Sequence, residues 1–248
     1  MRKTKNSESL FQSLEQRTIT TLLFDLDGTI WDFRTNAIAS LKELYVMHRL
    51  DRFYSDFLDF HKRYAPCNHA LWAAYARGEV TKDFLIVERF ASPLREVGVL
   101  DETLPQALSC DFFICLSEKN QLMPNAMTAI PALQPHYDLA IVSNGFPEIQ
   151  YKKMDGASLR PYFSQVILSE DVGAPKPTAQ FFDAALRQCG CQRSEVLLIG
   201  DEYPTDIVGS FNAGIHSIWY NPQRLETPDD KHDLEINDLD ELLPLLLS

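Results

Sequence analysis

Five short apolar runs punctuate the chain, and each is β-branched or aliphatic enough to be a strand buried on both faces: 18–24 (TITTLLF), 139–143 (LAIVS), 165–169 (QVILS), 195–200 (EVLLIG) and 216–220 (HSIWY). From the second run onward they are separated by stretches with helical spacing. Buried strands alternating with helices predict a parallel sheet in an α/β fold, Rossmann-like and flanked by helices.

The first and second runs are more than a hundred residues apart, and that interval contains no strand pattern. Helices are predicted instead over 37–50, 68–76, 81–90 and 102–116, with Thr81 and Asp101 as starts. A block this long exceeds what one crossover needs. The expected organisation is a core made of 18–31 and 123–248, a helical insertion over 32–122, and a polar N-terminal extension over 1–17. Pro124-Asn125 marks the return to the core. The closing LLPLLL is too short for a membrane span and reads as a last core helix.

Of the 248 residues, 45% are hydrophobic and 23% charged, as in an ordinary globular protein. Lys and Arg number 23 against 35 Asp and Glu, a formal net charge of -12. That field repels a nucleic-acid backbone and argues against a polymer partner, yet it admits a small phosphate ligand beside a divalent cation. The N-terminus has no apolar stretch of signal-peptide length, and no run approaches a membrane span, so a cytoplasmic protein without a membrane partner is expected. Cys67, Cys110, Cys115, Cys189 and Cys191 follow no disulfide or zinc-site spacing and read as reduced thiols.

Ligands of open parallel sheets bind beyond the carboxyl ends of the strands, and the polar residues gather there. The first run ends in Asp25-Leu26-Asp27-Gly28-Thr29. Two acids two apart face the same way while the chain stays extended, so each raises the other's proton affinity unless a cation relieves them. One could attack phosphorus while the other handles protons; alone, the motif reads equally as an acidic loop. The second ends in Ser143-Asn144-Gly145, offering a hydroxyl and loop N–H donors to an anion, or simply an Asn-Gly turn. Lys176 precedes Pro177, which is expected to open the next helix. A cation there needs a negative partner, and the strand-end carboxylates supply one. The fourth run leads into Asp201 and, five residues on, Asp206. Hard oxygen ligands of this kind suit Mg²⁺.

In this order and at these places the four motifs resemble the haloacid dehalogenase superfamily in its phosphatase branch, over nearly the whole chain after Thr18. Asp27 separates the sequence from the true dehalogenases, whose motif lacks that acid. The resemblance implies that Asp25 attacks phosphorus and forms a phosphoaspartate. Asp27 would protonate the leaving alkoxide and then activate water. Asp25, Asp201 and the main-chain carbonyl of Asp27 would hold Mg²⁺. Ser143, the N–H of Asn144 and Lys176 would hold the phosphoryl oxygens, with Asp206 steadying Lys176 or metal waters. The helical insertion would be a cap that excludes water and selects the leaving group.

Trp31-Asp32-Phe33, Asn68 with Leu71-Trp72, the run 77–82 (RGEVTK), Arg89-Phe90 and Trp219-Tyr220-Asn221-Pro222 resemble a pyrimidine 5′-nucleotidase-like subgroup. That resemblance implies a nucleoside monophosphate substrate. Phe33, Tyr64, Asn68, His69, Trp72 and Tyr75 are then the candidates for recognising the base. A sugar-phosphate phosphatase or a phosphomutase is the alternative within the superfamily. The alternative from another class is a non-catalytic phosphoryl-receiving or interaction protein. The first is shorter and needs no insertion, and the second is expected to have lost an acid or the lysine.

Overall fold

The computed structural model describes residues 2–4, 7–16, 18–227 and 229–247. Met1, Lys5, Asn6 and Arg17 of the expected extension lie outside the described residues, as do Pro228 and Ser248. The chain divides into two compact units, Met1–Phe33 with Gln121–Ser248, and Arg34–Asn120.

The first unit is α/β. Its strands are β1 (Arg2–Lys3), β2 (Thr21–Phe24), β3 (Asp138–Ser143), β4 (Gln165–Leu168), β5 (Val196–Gly200), β6 (His216–Tyr220) and β7 (Leu234–Ile236), ordered β1-β7-β6-β5-β2-β3-β4 in one sheet. Six run parallel, and β1 closes the edge antiparallel to β7. The central strands are buried on both faces: Leu22, Leu23, Phe24 and Val196 through Ile199 are wholly inaccessible. This is why each reads as a continuous apolar run rather than an alternation. One face packs on the helix Ala179–Cys189, whose Phe181, Phe182 and Ala185 join Leu23, Val142 and Leu198 in the core.

Register sets the level of the site. Phe24 pairs with Ile141 on one side and Ile199 on the other. Asp25 therefore stands one residue past the pairing, and its N–H still donates to the Ile199 carbonyl at 2.9 Å. β2 is flanked by β3 and β5, so chain order reverses at β2, where ligands of such sheets bind.

Two pieces of this unit were not predicted. The N-terminal stretch carries β1 and a helix, Ser7–Glu15, which buries Leu10 completely. Its apolar stripe is only Leu10, Phe11 and Leu14, too short to stand out within an otherwise polar stretch. β7 is three residues long with Glu235 in the middle, too short and too polar to read as a strand. One expectation is corrected: the helix after Lys176 opens at Thr178, whose side chain accepts from the Phe181 N–H, and not at Pro177.

The second unit is helical: within it lie most of Phe33–Met47, then Phe57–Ala76, Lys82–Glu96 and Thr103–Ser117. The helix expected from residue 68 starts eleven residues earlier, with Asp56 capping the Asp59 N–H, and runs through Pro66. A proline inside a helix removes one ladder bond. The aromatic face of Phe57, Phe60 and Tyr64 outweighs that loss, packing with Tyr54, Phe90 and Phe112 at ring separations of 5.1–6.5 Å. Among the described residues no helix is long and apolar enough to cross a membrane.

Candidate active site

Three carboxylates converge beyond the ends of β2 and β5. One oxygen from each of Asp25, Asp201 and Asp206 lies within 4.8 Å of the others. Asp25 is 7% exposed and Asp206 wholly buried. Asp206 comes from a π-helical turn, Tyr203–Ile207, that follows β5. Between Asp25 and Asp206 sits the Lys176 ammonium, which donates to Asp25 Oδ1 at 2.7 Å, Asp206 Oδ1 at 2.6 Å and the Val142 carbonyl at 2.8 Å. All three of its protons are used. Burial alone would lower the Lys176 pKa, but Asp206 and Asp25 outweigh it and hold the lysine above its ordinary value.

One ammonium against three carboxylates leaves two negative charges without a counterion when all are ionised. The acids register this. Burial pushes Asp25 up to about 7, Lys176 opposing and Asp206 adding to the rise. Asp201 is raised well above the usual carboxylate range by burial, then by Asp25 and Asp206, although the Thr29 hydroxyl donates to its Oδ1 at 2.8 Å. A Cβ on Gly28, at φ +95°, would stand 2.3 Å from Asp201 Oδ2, so only glycine lets the first loop pass this close. A compact set of buried hard oxygens with a two-charge deficit fits a divalent metal. Trp219 steadies the set by donating from Nε1 to the Asp201 carbonyl at 3.0 Å.

Asp27 is not part of this group. The strand ends at Phe24, Asp27 forms a single bridge with Trp31, and the chain turns from Gly28 on: Ile30 and Trp31 both donate to the Leu26 carbonyl, and Gly28 donates to the Trp31 carbonyl. The Asp27 carboxylate turns instead to the helix Pro147–Gly156, where Gln150 Nε2 donates to its Oδ2 and Lys153 Nζ to its Oδ1, each at 2.7 Å.

Ser143 ends β3 at 2% exposure. Its Oγ accepts from the Gly145 N–H at 3.0 Å and from Gln150 Nε2 at 2.7 Å. A hydroxyl has two lone pairs and one proton, so both acceptor positions are filled and the O–H is left to donate. Asn144 spends its side chain on the backbone of Lys176, with Oδ1 accepting from the N–H and Nδ2 donating to the carbonyl.

The structure thus brings Asp25, Ser143, Lys176, Asp201 and Asp206 to adjoining strand ends, with Asp27 and Asn144 beside them. Phe33 begins its helix against Trp31, with ring centroids 6.4 Å apart. Within the helical unit, Tyr64 is buried in the aromatic core and its hydroxyl donates to Asn68. This core role removes it from the residues open to a ligand. Trp72 and Tyr75 are half-buried and pack edge to face at 5.8 Å, and His69 is exposed. Sequence reasoning missed Gln150, Lys153 and Thr29. The available signal was an amide and a lysine three residues apart on the helix following Ser143, which places them on one face.

A haloacid dehalogenase-like hydrolase profile matches residues 19–214. The chain is 33% identical to HAD-hydrolase YfnB of Bacillus subtilis over 91% of its own length and 94% of that protein's. The crystal structure of YfnB, bound to magnesium and described as revealing interdomain movement, superposes with a TM-score of 0.83 over 93% of this chain and 99% of that one. Pyrimidine 5′-nucleotidase YjjG of Escherichia coli is 31% identical over 84% of this chain and 88% of its own. Pyrimidine 5′-nucleotidase PynA of Streptococcus pneumoniae is 33% identical over 83% and 85%.

Proposed function

The chain belongs to the haloacid dehalogenase-like hydrolases, and from that premise we propose that it is a magnesium-dependent phosphatase acting on pyrimidine nucleoside 5′-monophosphates. The observation that carries the chemistry is the separation of the two acids of the first loop. Asp25 stands against Lys176 in the three-carboxylate group, while Asp27 is held apart by Gln150 and Lys153.

Asp25 attacks phosphorus, and the bond from phosphorus to the ester oxygen breaks as Asp27 gives that oxygen its proton. The product is a phosphoaspartate and a free alcohol. Asp27, now a carboxylate, takes a proton from water as the water attacks the same phosphorus, and Asp25 is released with inorganic phosphate. Ser143 through its O–H, Asn144 through its N–H and Lys176 receive the phosphoryl oxygens, where charge spreads in the transition state. Asp206 keeps Lys176 in place. Mg²⁺ on Asp25, Asp201 and the Asp27 carbonyl would neutralise charge and relieve the repulsion among these acids.

We take the α/β unit as the catalytic core and the helical unit as the cap that chooses the leaving group. Similarity to YjjG and PynA supports a pyrimidine nucleotide. Of the aromatic candidates, Phe33, Trp72 and Tyr75 keep partial exposure, as a stacking partner for a base must. We place the enzyme in the cytoplasm, where its five free cysteines stay reduced. The test is kcat/KM for phosphate release from UMP, dTMP, AMP, glucose 6-phosphate and glycolate phosphate. UMP or dTMP is expected to lead. A clear preference for glucose 6-phosphate or glycolate phosphate would overturn the nucleotide assignment and leave the phosphatase one.

A further inference from the structure

We propose that Lys153, together with Gln150, is a positioning residue that aims the Asp27 carboxylate at the leaving oxygen, so that turnover of esters with poor leaving groups depends on it. This rests on the acid–base role given to Asp27 above.

The backbone under Asp27 is already fixed. The Leu26 carbonyl accepts from the Ile30 N–H at 3.0 Å and the Trp31 N–H at 2.8 Å, and Gly28 donates to the Trp31 carbonyl at 2.8 Å. What remains free is the pair of side-chain torsions of Asp27, and two donors remove that freedom. Lys153 Nζ takes Oδ1 and Gln150 Nε2 takes Oδ2, both at 2.7 Å and both from one helix. Each carboxylate oxygen has its own holder, so the plane of the group is set as well as its place.

The holders are themselves locked. Gln150 is wholly buried, and its second N–H goes to Ser143 Oγ at 2.7 Å. Rotating the amide by half a turn would point its oxygen at the carboxylate, so only one orientation serves. Gly145 makes room for it: a Cβ there would stand 2.2 Å from Gln150 Nε2. The Lys153 ammonium lies 4.5 Å from the Trp31 ring centroid and 5.5 Å from that of Phe33. The Lys153 side chain is 3% exposed, whereas that of Asp27 is 23% exposed. The clamp is thus closed off, and the carboxylate it holds remains open to a reactant. Gln150 also ties Asp27 to Ser143, which fixes the acid relative to the hydroxyl that receives the phosphoryl group.

A displaced Asp27 slows hydrolysis of the phosphoaspartate alike for every ester, but it harms the first step, which kcat/KM reports, in proportion to how much the leaving oxygen needs a proton. A ribose alkoxide needs one, and a nitrophenolate does not. General acid–base assistance is worth about 10²–10⁴-fold, and a misaimed acid forfeits part of it. A buried ion pair serving stability alone would lower both reactions together or neither.

The experiment measures kcat and KM for the best nucleotide of the wild-type panel and for nitrophenyl phosphate, in wild type, Asp27→Asn, Lys153→Met and Gln150→Leu, with thermal midpoints alongside. Lys153→Met is expected to lower nucleotide kcat/KM by about 10²-fold and nitrophenyl phosphate kcat/KM far less. Gln150→Leu should show the same split and carries the test if Lys153→Met fails to fold. Equal losses of kcat/KM on both esters, or none, in the folded variants while Asp27→Asn shows the split would overturn the positioning role alone. An Asp27→Asn enzyme without the split would overturn the acid–base reading and this inference with it.

Discussion

The Asn144 side chain pairs both of its polar atoms with the backbone of Lys176, accepting from the N–H at 2.8 Å and donating to the carbonyl at 3.0 Å. The loop that carries the lysine is thereby stapled to the end of β3, thirty-two residues away in sequence. Lys176 then reaches back to the Val142 carbonyl on the same strand. Asn144→Ala removes the staple and leaves two backbone groups without partners, a loss of about 1–3 kcal/mol in urea unfolding. A drifting Lys176 should also raise the inhibition constant for inorganic phosphate. A variant with unaltered stability and unaltered phosphate inhibition would show that the pairing is incidental.

The charge excess of the site predicts a pH signature. Asp25 is pushed up to about 7 by burial despite Lys176, and Asp201 is raised in the same direction. Unfolded, both release their protons near the ordinary value of 3.8. Their contribution to stability is therefore whole below that value and is lost as pH rises, that of Asp25 by about 7. A bound divalent ion competes with those protons, so its stabilising effect should grow over the same interval. Thermal midpoints in EDTA and in magnesium, taken at several pH values, check this. The gap between the two series is expected to widen up to about pH 7 and then level; a gap independent of pH would contradict the electrostatic picture.

The helical unit separates two aromatic residues that its sequence presents alike. Tyr64 is 5% exposed among Phe60, Phe90 and Phe112, whereas Trp72 is half-buried beside Tyr75. Tyr64→Ala should cost about 3–5 kcal/mol of stability, as for other buried aromatics, with no selective change in KM. Trp72→Ala should leave the thermal midpoint nearly unchanged and raise KM for UMP while sparing nitrophenyl phosphate. The reverse pattern would move base recognition from Trp72 to Tyr64.

The sheet was legible because its strands are covered on both faces. Residues 216–220 read as a strand and form one, and the other four runs differ from the structure only at their ends. β7 escaped because Glu235 in its centre accepts from Asn221 Nδ2, a partner no periodicity reveals. At the site, strand-end acids stand out in a sequence, whereas Gln150 and Lys153 look like the polar side of any amphipathic helix. Their burial comes from the end of β3 and the loop after β2 that they meet, which only the fold supplies.

The central claim, that Asp25 becomes phosphorylated, is tested most directly by rapid acid quenching of excess enzyme mixed with UMP radiolabelled in its phosphate, followed by digestion and identification of the labelled peptide. Label is expected to appear on the peptide containing Asp25, rise and decay faster than or as fast as free phosphate accumulates, and be absent from Asp25→Asn. Label passing straight to free phosphate at the wild-type rate, with no Asp25 adduct at any time and with Asp25→Asn still turning over, would contradict it.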